Sequence, residues 1–172
     1  TARIDRLLPE DKRLVQVASV IGKHVPFGLL QSIAELADEA LRRGLDHLQA
    51  ADFLVETGLF PDVEYSFKHA LTHEVTYGGL LQERRRDLHA RIVDAIETLH
   101  GDRLGGEIER LAHHALRGEL REKAVHYLRQ AGLKAAARSA LQDARGWFEQ
   151  ALGALEALPE SQAALERAFD TR

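Results

Sequence analysis

The reading of this chain turns on Val63-Glu-Tyr-Ser-Phe-Lys-His-Ala-Leu-Thr-His-Glu-Val-Thr-Tyr77 and its continuation, Gly78-Gly-Leu-Leu-Gln-Glu-Arg-Arg-Arg-Asp-Leu88. Val63, Tyr65 and Phe67 alternate with Glu64, Ser66 and Lys68, the period of a half-buried strand. At His69 the period changes, and Ala70, Leu71, Val75 and Leu81 fit helical spacing instead. The sequence therefore predicts a strand running straight into a helix, with Lys68 and His69 at the joint. A helix N-terminus carries partial positive charge and unpaired N–H groups, so this joint is a candidate position for an anion.

Upstream of the joint, Leu8-Pro9-Glu10-Asp11 reads as a helix start, with proline in the first turn and acids at the positive end. Leu14, Val17, Ala18 and Ile21 follow at i, i+3, i+4 and i+7, and Gly22 stands where a C-terminal cap belongs. Val25-Pro26 is expected to open a second, shorter helix carrying Leu29, Leu30 and Ile33. Asp38-Glu39 opens a third, with Leu41, Leu45 and Leu48 as its apolar stripe. Phe53–Thr57 and Val63–Phe67 then read as a hairpin, joined by Gly58-Leu-Phe-Pro-Asp62.

Three helices followed by a hairpin is the order of a winged-helix domain. In DNA-binding members the third helix enters the major groove and carries basic or amide side chains. Here residues 38–51 set Asp38, Glu39 and Asp46 against Arg42 and Arg43, a net of −1. Counterion release depends on Lys and Arg, so an acidic helix at this position disfavours DNA. A protein-contact use of the fold is expected.

Downstream, two helices are expected at about 70–81 and 83–99, with Gly78-Gly79 weakening their join. Leu88, Ile92, Ala95, Ile96 and Leu99 give the second an apolar face. His100-Gly-Asp102 and Gly105-Gly106 mark a domain boundary, dividing the chain into 1–100 and 101–172. Beyond it the sequence is alanine-rich and helical. One stripe runs through Ile108, Leu111, Ala112, Ala115 and Leu116, a second through Ala124, Leu128, Ala131, Gly132 and Ala135. A third holds Ala144, Trp147, Phe148, Ala151, Leu152 and Leu155, and Pro159 ends it. Small residues at this spacing suit closely stacked helix pairs.

One unit resembles a tetratricopeptide repeat (TPR). Leu128 and Ala131-Gly132 match the large and Leu-Gly positions of its first helix, and Ala144, Phe148 and Ala151 the Ala, aromatic and Ala positions of its second. Ala135 departs from the usual Tyr, and Pro159 comes about three residues late. Residues 107–117 would be the trailing helix of an earlier repeat and Gln162–Arg172 the start of the next. The expected fold is mainly α: a winged-helix-like domain with a β-hairpin, followed by a TPR-like α-α superhelix.

Composition narrows the function classes. Charged residues make up 29% and the net charge is −4, against a general nucleic-acid binder. The chain has no cysteine, which excludes disulfides and thiolate metal sites or nucleophiles. No apolar run approaches the ~20 residues needed to cross a bilayer, and no signal peptide is visible. A cytoplasmic location and no membrane partner are therefore expected. The chain opens on Thr1 and has no Met, so it reads as a segment of a longer protein.

Motifs for chemistry are sparse. His69 and His73 stand at i, i+4, but a zincin would need His-Glu-x-x-His, and Tyr77 follows where it fails. No metal site is expected, and no catalytic residue. Arg84-Arg85-Arg86 is a candidate anion or partner contact, flanked by Glu83 and Asp87. Neither a phosphate-binding G-x-x-x-x-G-K-[ST] loop nor a G-x-S-x-G elbow occurs, so the segment itself is not expected to turn over a nucleotide or to hold a cofactor.

The stretch Phe67-Lys-His-Ala-Leu-Thr-His-Glu-Val-Thr-Tyr77, then Leu80-Leu81 and Arg84-Arg-Arg-Asp-Leu-His89, resembles a bacterial group of large signalling ATPases. Leu8-Pro-Glu-Asp-Lys-Arg-Leu14 and Ala124-Val-His-Tyr-Leu-Arg-Gln-Ala-Gly132 resemble the same group, whose members are described as class III adenylate or guanylate cyclases or as ATPases with TPRs. The resemblance implies an order of domains: a cyclase domain where present, a STAND-type nucleotide-binding module, a winged helix, then the repeats. It implies ATP or ADP with Mg in the longer protein, an upstream nucleotide-binding domain of the same chain as one partner, and a protein partner on the repeats. In related STAND proteins a winged-helix His in a Phe-x-His setting contacts the phosphate of bound ADP and holds the closed state. Phe67-Lys68-His69 matches that setting, so the resemblance assigns phosphate sensing to His69, with Lys68 beside it. The alternative function is a winged-helix DNA-binding transcription regulator with a TPR effector arm.

Overall fold

The computed structural model describes residues 4–58 and 63–157. Most of them are helical, in eight α-helices with one small antiparallel sheet of three strands. The chain falls into two compact units, Thr1–Ala95 and Ile96–Arg172.

Unit 1 begins with a short 3-10 turn, Ile4–Arg6, and helix α1, Pro9–Ile21. Proline and two acids occupy the first turn of α1, and Gly22 at φ 133° ends it, as its sequence predicts. Strand β1 (His24–Pro26) leads into α2 (Phe27–Ile33) and α3 (Asp38–Ala50). Strands β2 (Leu54–Glu56) and β3 (Glu64–Phe67) follow, then α4 (Ala70–Gly78).

The sheet corrects one expectation. Val25-Pro26 does not open a helix: His24–Pro26 pairs antiparallel with β3, setting His24 opposite Ser66 and Val25 opposite Tyr65. With β2 on the other side of β3, the strand order is β1-β3-β2. Pro26 is tolerated because β1 is an edge strand and needs no donor there. The expected connection Leu59-Phe-Pro-Asp62 lies outside the described residues.

The core of unit 1 gathers Leu14, Val15 and Ala18 of α1, Leu29, Leu30 and Ile33 of α2, and Leu41, Leu45 and Leu48 of α3, with Val25, Leu54, Tyr65 and Phe67 from the sheet. Burying each large aliphatic side chain contributes roughly 1.5–3 kcal/mol. Helices α1 and α3 approach closely at Gly44, where a β-carbon would lie 2.8 Å from Leu14 Cδ2. The buried Asp11 carboxylate meets Nδ1 of His47 at 3.1 Å beside that contact.

Helix α4 departs from its expected stripe. Leu71 and Leu81 are 69% and 80% exposed, Thr76 is buried, and Thr72, His73, Val75 and Tyr77 are half-buried, so of the expected apolar positions only Val75 turns inward. The helix ends at Gly78, short of Leu81. Helix α5, Gln82–His100, begins in unit 1 and continues into unit 2. Leu88, Ile92 and Ile96 on it are buried, whereas Leu99 is exposed.

In unit 2, a 3-10 turn at Leu104–Gly106 precedes α6 (Ile108–Arg117), α7 (Arg121–Ala137) and α8 (Leu141–Glu156). Helix α7 packs against both α6 and α8. The two connections are copies of each other at a 20-residue offset. Leu120 N–H donates to Ala115 O at 3.0 Å, and Ala140 N–H to Ala135 O at 3.0 Å. Glu119 and Ser139 sit in the left-handed region at φ 55° and 59°. Each is the left-handed cap with a six-to-one hydrogen bond that ends many helices, here without the usual glycine. Leu111, Ala112, Ala115, Ala124, Leu128, Ala131, Ala144, Ala151 and Leu155 are buried. Pro159 and Gln162–Arg172 lie outside the described residues.

Candidate functional site

Strand β3 delivers the chain into α4 through Lys68 and His69, as the change of period predicts. Lys68 N–H donates to Phe53 O at 3.1 Å, which fixes the joint against the residue before β2. His69 is the N-cap of α4, with extended backbone at φ −133° and ψ 130°. Its carbonyl accepts from Thr72 and His73 N–H, at 3.0 and 3.3 Å. Its imidazole makes no cap hydrogen bond and is exposed. His69 thus neither closes the helix with its side chain nor packs beneath the sheet. Among the described residues, the Ala70 and Leu71 N–H groups at the start of α4 have no backbone acceptor. An anion placed there would meet an imidazole, these donors and the helix dipole.

Lys68 is differently placed. Its ammonium is paired with the Asp52 carboxylate, both at the surface. Asp52 itself sits at φ 61°, at the turn that ends α3. Lys68 therefore stands at the joint already partnered, while His69 does not.

His73 is a structural residue. Its Nε2–H donates to Ser19 O at 2.8 Å, capping one of the last carbonyls of α1. Its ring meets the Phe67 ring edge-on at 4.9 Å and stacks with Tyr77 at 6.4 Å. The Tyr77 hydroxyl and His89 Nε2 share a hydrogen bond of 3.0 Å, and His89 is buried. Two histidines that spacing alone would offer as a metal pair thus have separate settings, His69 in solvent and His73 half-buried against α1, Phe67 and Tyr77.

The arginine run does not converge. Arg84 pairs with Asp87 at 3.1 Å. Arg85 lays its guanidinium 5.2 Å from the Tyr77 ring centroid, a cation–π contact, and its buried Nε has no hydrogen-bond partner. Arg86 is exposed on another side of α5. Consecutive helix positions diverge by about 100°. On α6, His113 is exposed and His114 buried, as adjacent positions on a helix require.

Unit 2 holds features the sequence does not announce. Tyr127 donates to Glu97 Oε1 at 2.6 Å, and Lys123 Nζ to Glu97 Oε2 at 2.8 Å. Burial, then the Glu97 bond and charge, push the Tyr127 phenol up to about 12. Between the starts of α6 and α8 lies a groove of about 460 Å³, lined chiefly by Glu109, Arg138, Gln142, Asp143, Trp147 and Gln150. Burial is the largest influence on Glu109 and works against its ionisation, but the Lys134 hydrogen bond at 2.7 Å, a backbone hydrogen bond and the Lys134 and Arg138 charges together hold the carboxyl below its usual range. Trp147 is read from spacing as part of a buried stripe, yet it is only half-buried, on the groove. Its position beside Asp143 at i−4 is the one signal that would have pointed there.

No family model and no solved structure matches the chain. An uncharacterized protein of Rhizobium meliloti (strain 1021) is 30% identical over 154 residues. That alignment takes in 89% of this chain and 15% of the relative, so the chain spans less than a sixth of that protein's length. Among the described residues, no helix is long and apolar enough to cross a membrane.

Proposed function

We propose that the chain is a non-catalytic regulatory and scaffolding segment of a multidomain signalling ATPase or nucleotide cyclase. In this reading unit 1 is a winged-helix-like domain that reports the state of a nucleotide bound by an upstream module. Unit 2 is a TPR-like array that binds a protein partner. ATP or ADP with Mg belongs to the longer protein, which works in the cytoplasm, and the phosphate reaches this segment at His69.

The observation that carries the reading is the setting of His69: an unpartnered, exposed imidazole at the N-terminus of α4, directly after β3. A structural histidine at that joint would cap the helix or bond a neighbouring element, as His73 does to Ser19 O one turn later. The unit 1 order α1-β1-α2-α3-β2-β3, with strands arranged β1-β3-β2, supports the winged-helix assignment. The duplicated turns of unit 2 and the packing of Gly132 against Phe148 support the repeat assignment. A long relative of which this chain matches a small part fits a segment of a larger protein.

The DNA-binding alternative has less support. Helix α3 sets three acids against two arginines, and Arg42 lies 5.4 Å from the Phe27 ring centroid, partly committed within its own unit. Coupling between nucleotide and partner requires a two-state element biased from both ends. The test is His69→Ala in the longer protein, comparing activity in the ATP- and ADP-loaded forms. The two forms should become more alike. An unchanged difference between them would remove His69 from the mechanism.

A further inference from the structure

We propose that the groove between the starts of α6 and α8 is a binding site for an arginine-bearing peptide segment. Trp147 is its stacking surface and Asp143 its carboxylate. The inference deepens the partner-binding role proposed for unit 2 and rests on it, by naming the chemistry of the partner.

Some of the lining groups are already committed. Glu109 is held by Lys134 at 2.7 Å. Gln150 spends its amide N–H on Gly146 O at 3.2 Å. Asp143 has no ion pair or hydrogen bond from its carboxylate among the described residues, and it is exposed. Trp147 follows one turn later on the same face of α8, half-buried, with its indole N–H unpartnered among those residues. Gly146, beside them, has open space where a β-carbon would be. An aromatic face and a free carboxylate one helical turn apart are what a guanidinium uses, stacking with its plane and pairing through its N–H fork. Lysine would reach the charge but lacks the plane.

The rest of the groove supplies orientation. Arg138 lines the wall formed by the end of α7. Its guanidinium, with no ion pair among the described residues, opposes a guanidinium bound near it, so the bound arginine sits on the Asp143 side and its carbonyl or acidic neighbour on the Arg138 side. Gln142 offers an uncommitted amide to a peptide backbone. A groove of about 460 Å³ falls within the usual size of sites for small ligands, which leaves room for an arginine side chain and part of its backbone.

Trp147 is the only tryptophan of the chain, so its emission reports directly on the groove. The 172-residue protein is titrated with acetyl-Gly-Arg-Gly-amide and with the glutamine counterpart, into the millimolar range. The expected result is a saturable change with the arginine peptide, binding about tenfold tighter than the glutamine one, and about tenfold weaker after Asp143→Asn. Asp143 is exposed, so its amide variant keeps the fold. Equal responses to the two peptides, a flat titration, or indifference to Asp143→Asn would overturn the proposal. Trp147→Leu, followed by calorimetry, should also lose the arginine preference, and retained preference counts against it. None of these outcomes bears on His69, so the nucleotide reading stands or falls separately.

Discussion

A β-carbon placed on Gly132 would lie 2.6 Å from Cε1 of Phe148, closer than side chains pack. Helices α7 and α8 therefore meet with the ring resting on bare backbone, and Gly132 is required by contact. Its backbone conformation is ordinary helix.

Alanine normally gains about 1 kcal/mol over glycine inside a helix. Gly153, on α8, faces open space, so Gly153→Ala should stabilise unit 2 by about that amount. Gly132→Ala should instead destabilise it by about 1–3 kcal/mol through overpacking. Thermal unfolding of the two variants gives the comparison. Equal, stabilising shifts would mean that the ring moves freely and the contact is not tight.

His73 secures the end of α1 to α4 through Ser19 O. His73→Ala removes the donor from a carbonyl next to a buried residue and opens space between Phe67 and Tyr77. A loss of about 1–3 kcal/mol in urea unfolding of unit 1 is expected. A loss under about 0.5 kcal/mol would mean water replaces the imidazole at little cost.

Tyr127 makes the alkaline limb of stability predictable in sign. Its folded pKa is raised to about 12 by burial and by Glu97, whereas an unfolded tyrosine titrates near 10. The contribution is complete below about pH 10 and is lost as the pH climbs toward 12, because the unfolded chain releases its proton first. Tyr65, in unit 1, is raised in the same direction by burial and by Glu56 and Asp46. Tyr127→Phe should flatten the fall in unit 2 stability over that range. An equally steep fall in the variant would place the cause elsewhere.

Ser139 occupies the left-handed region at φ 59° in the turn between α7 and α8. Non-glycine residues are strained there by roughly 1–2 kcal/mol, while glycine loses more entropy on folding. Ser139→Gly should therefore stabilise unit 2 modestly, by up to about 1 kcal/mol in denaturant unfolding. Destabilisation would show that the serine side chain makes the turn.

Much of the helical content was legible because it is written in local periodicity. Helices α1, α3, α7 and α8 follow stripes such as Leu14, Val17, Ala18 and Ile21, or Ala144, Phe148, Ala151 and Leu155. Strand β1 was not legible. Three residues show no alternation, Pro26 suits a helix start, and the partner, Ser66, is far along the chain. The exposed Leu71 and Leu81 show the same limit from the other side, since apolar spacing does not reveal which face meets the core. At the joint, the strand-to-helix change was readable, but the partners were not. Lys68 finds Asp52 and His73 finds Ser19 only once distant segments are folded together.

The proposed contact between His69 and the phosphate of a nucleotide held by an upstream module is read out by the ADP dissociation constant of the longer protein, measured for wild type and His69→Ala. A charge-assisted contact at the N-terminus of α4 predicts ADP binding at least about tenfold weaker in the variant. Identical ADP affinity in the two proteins would contradict it.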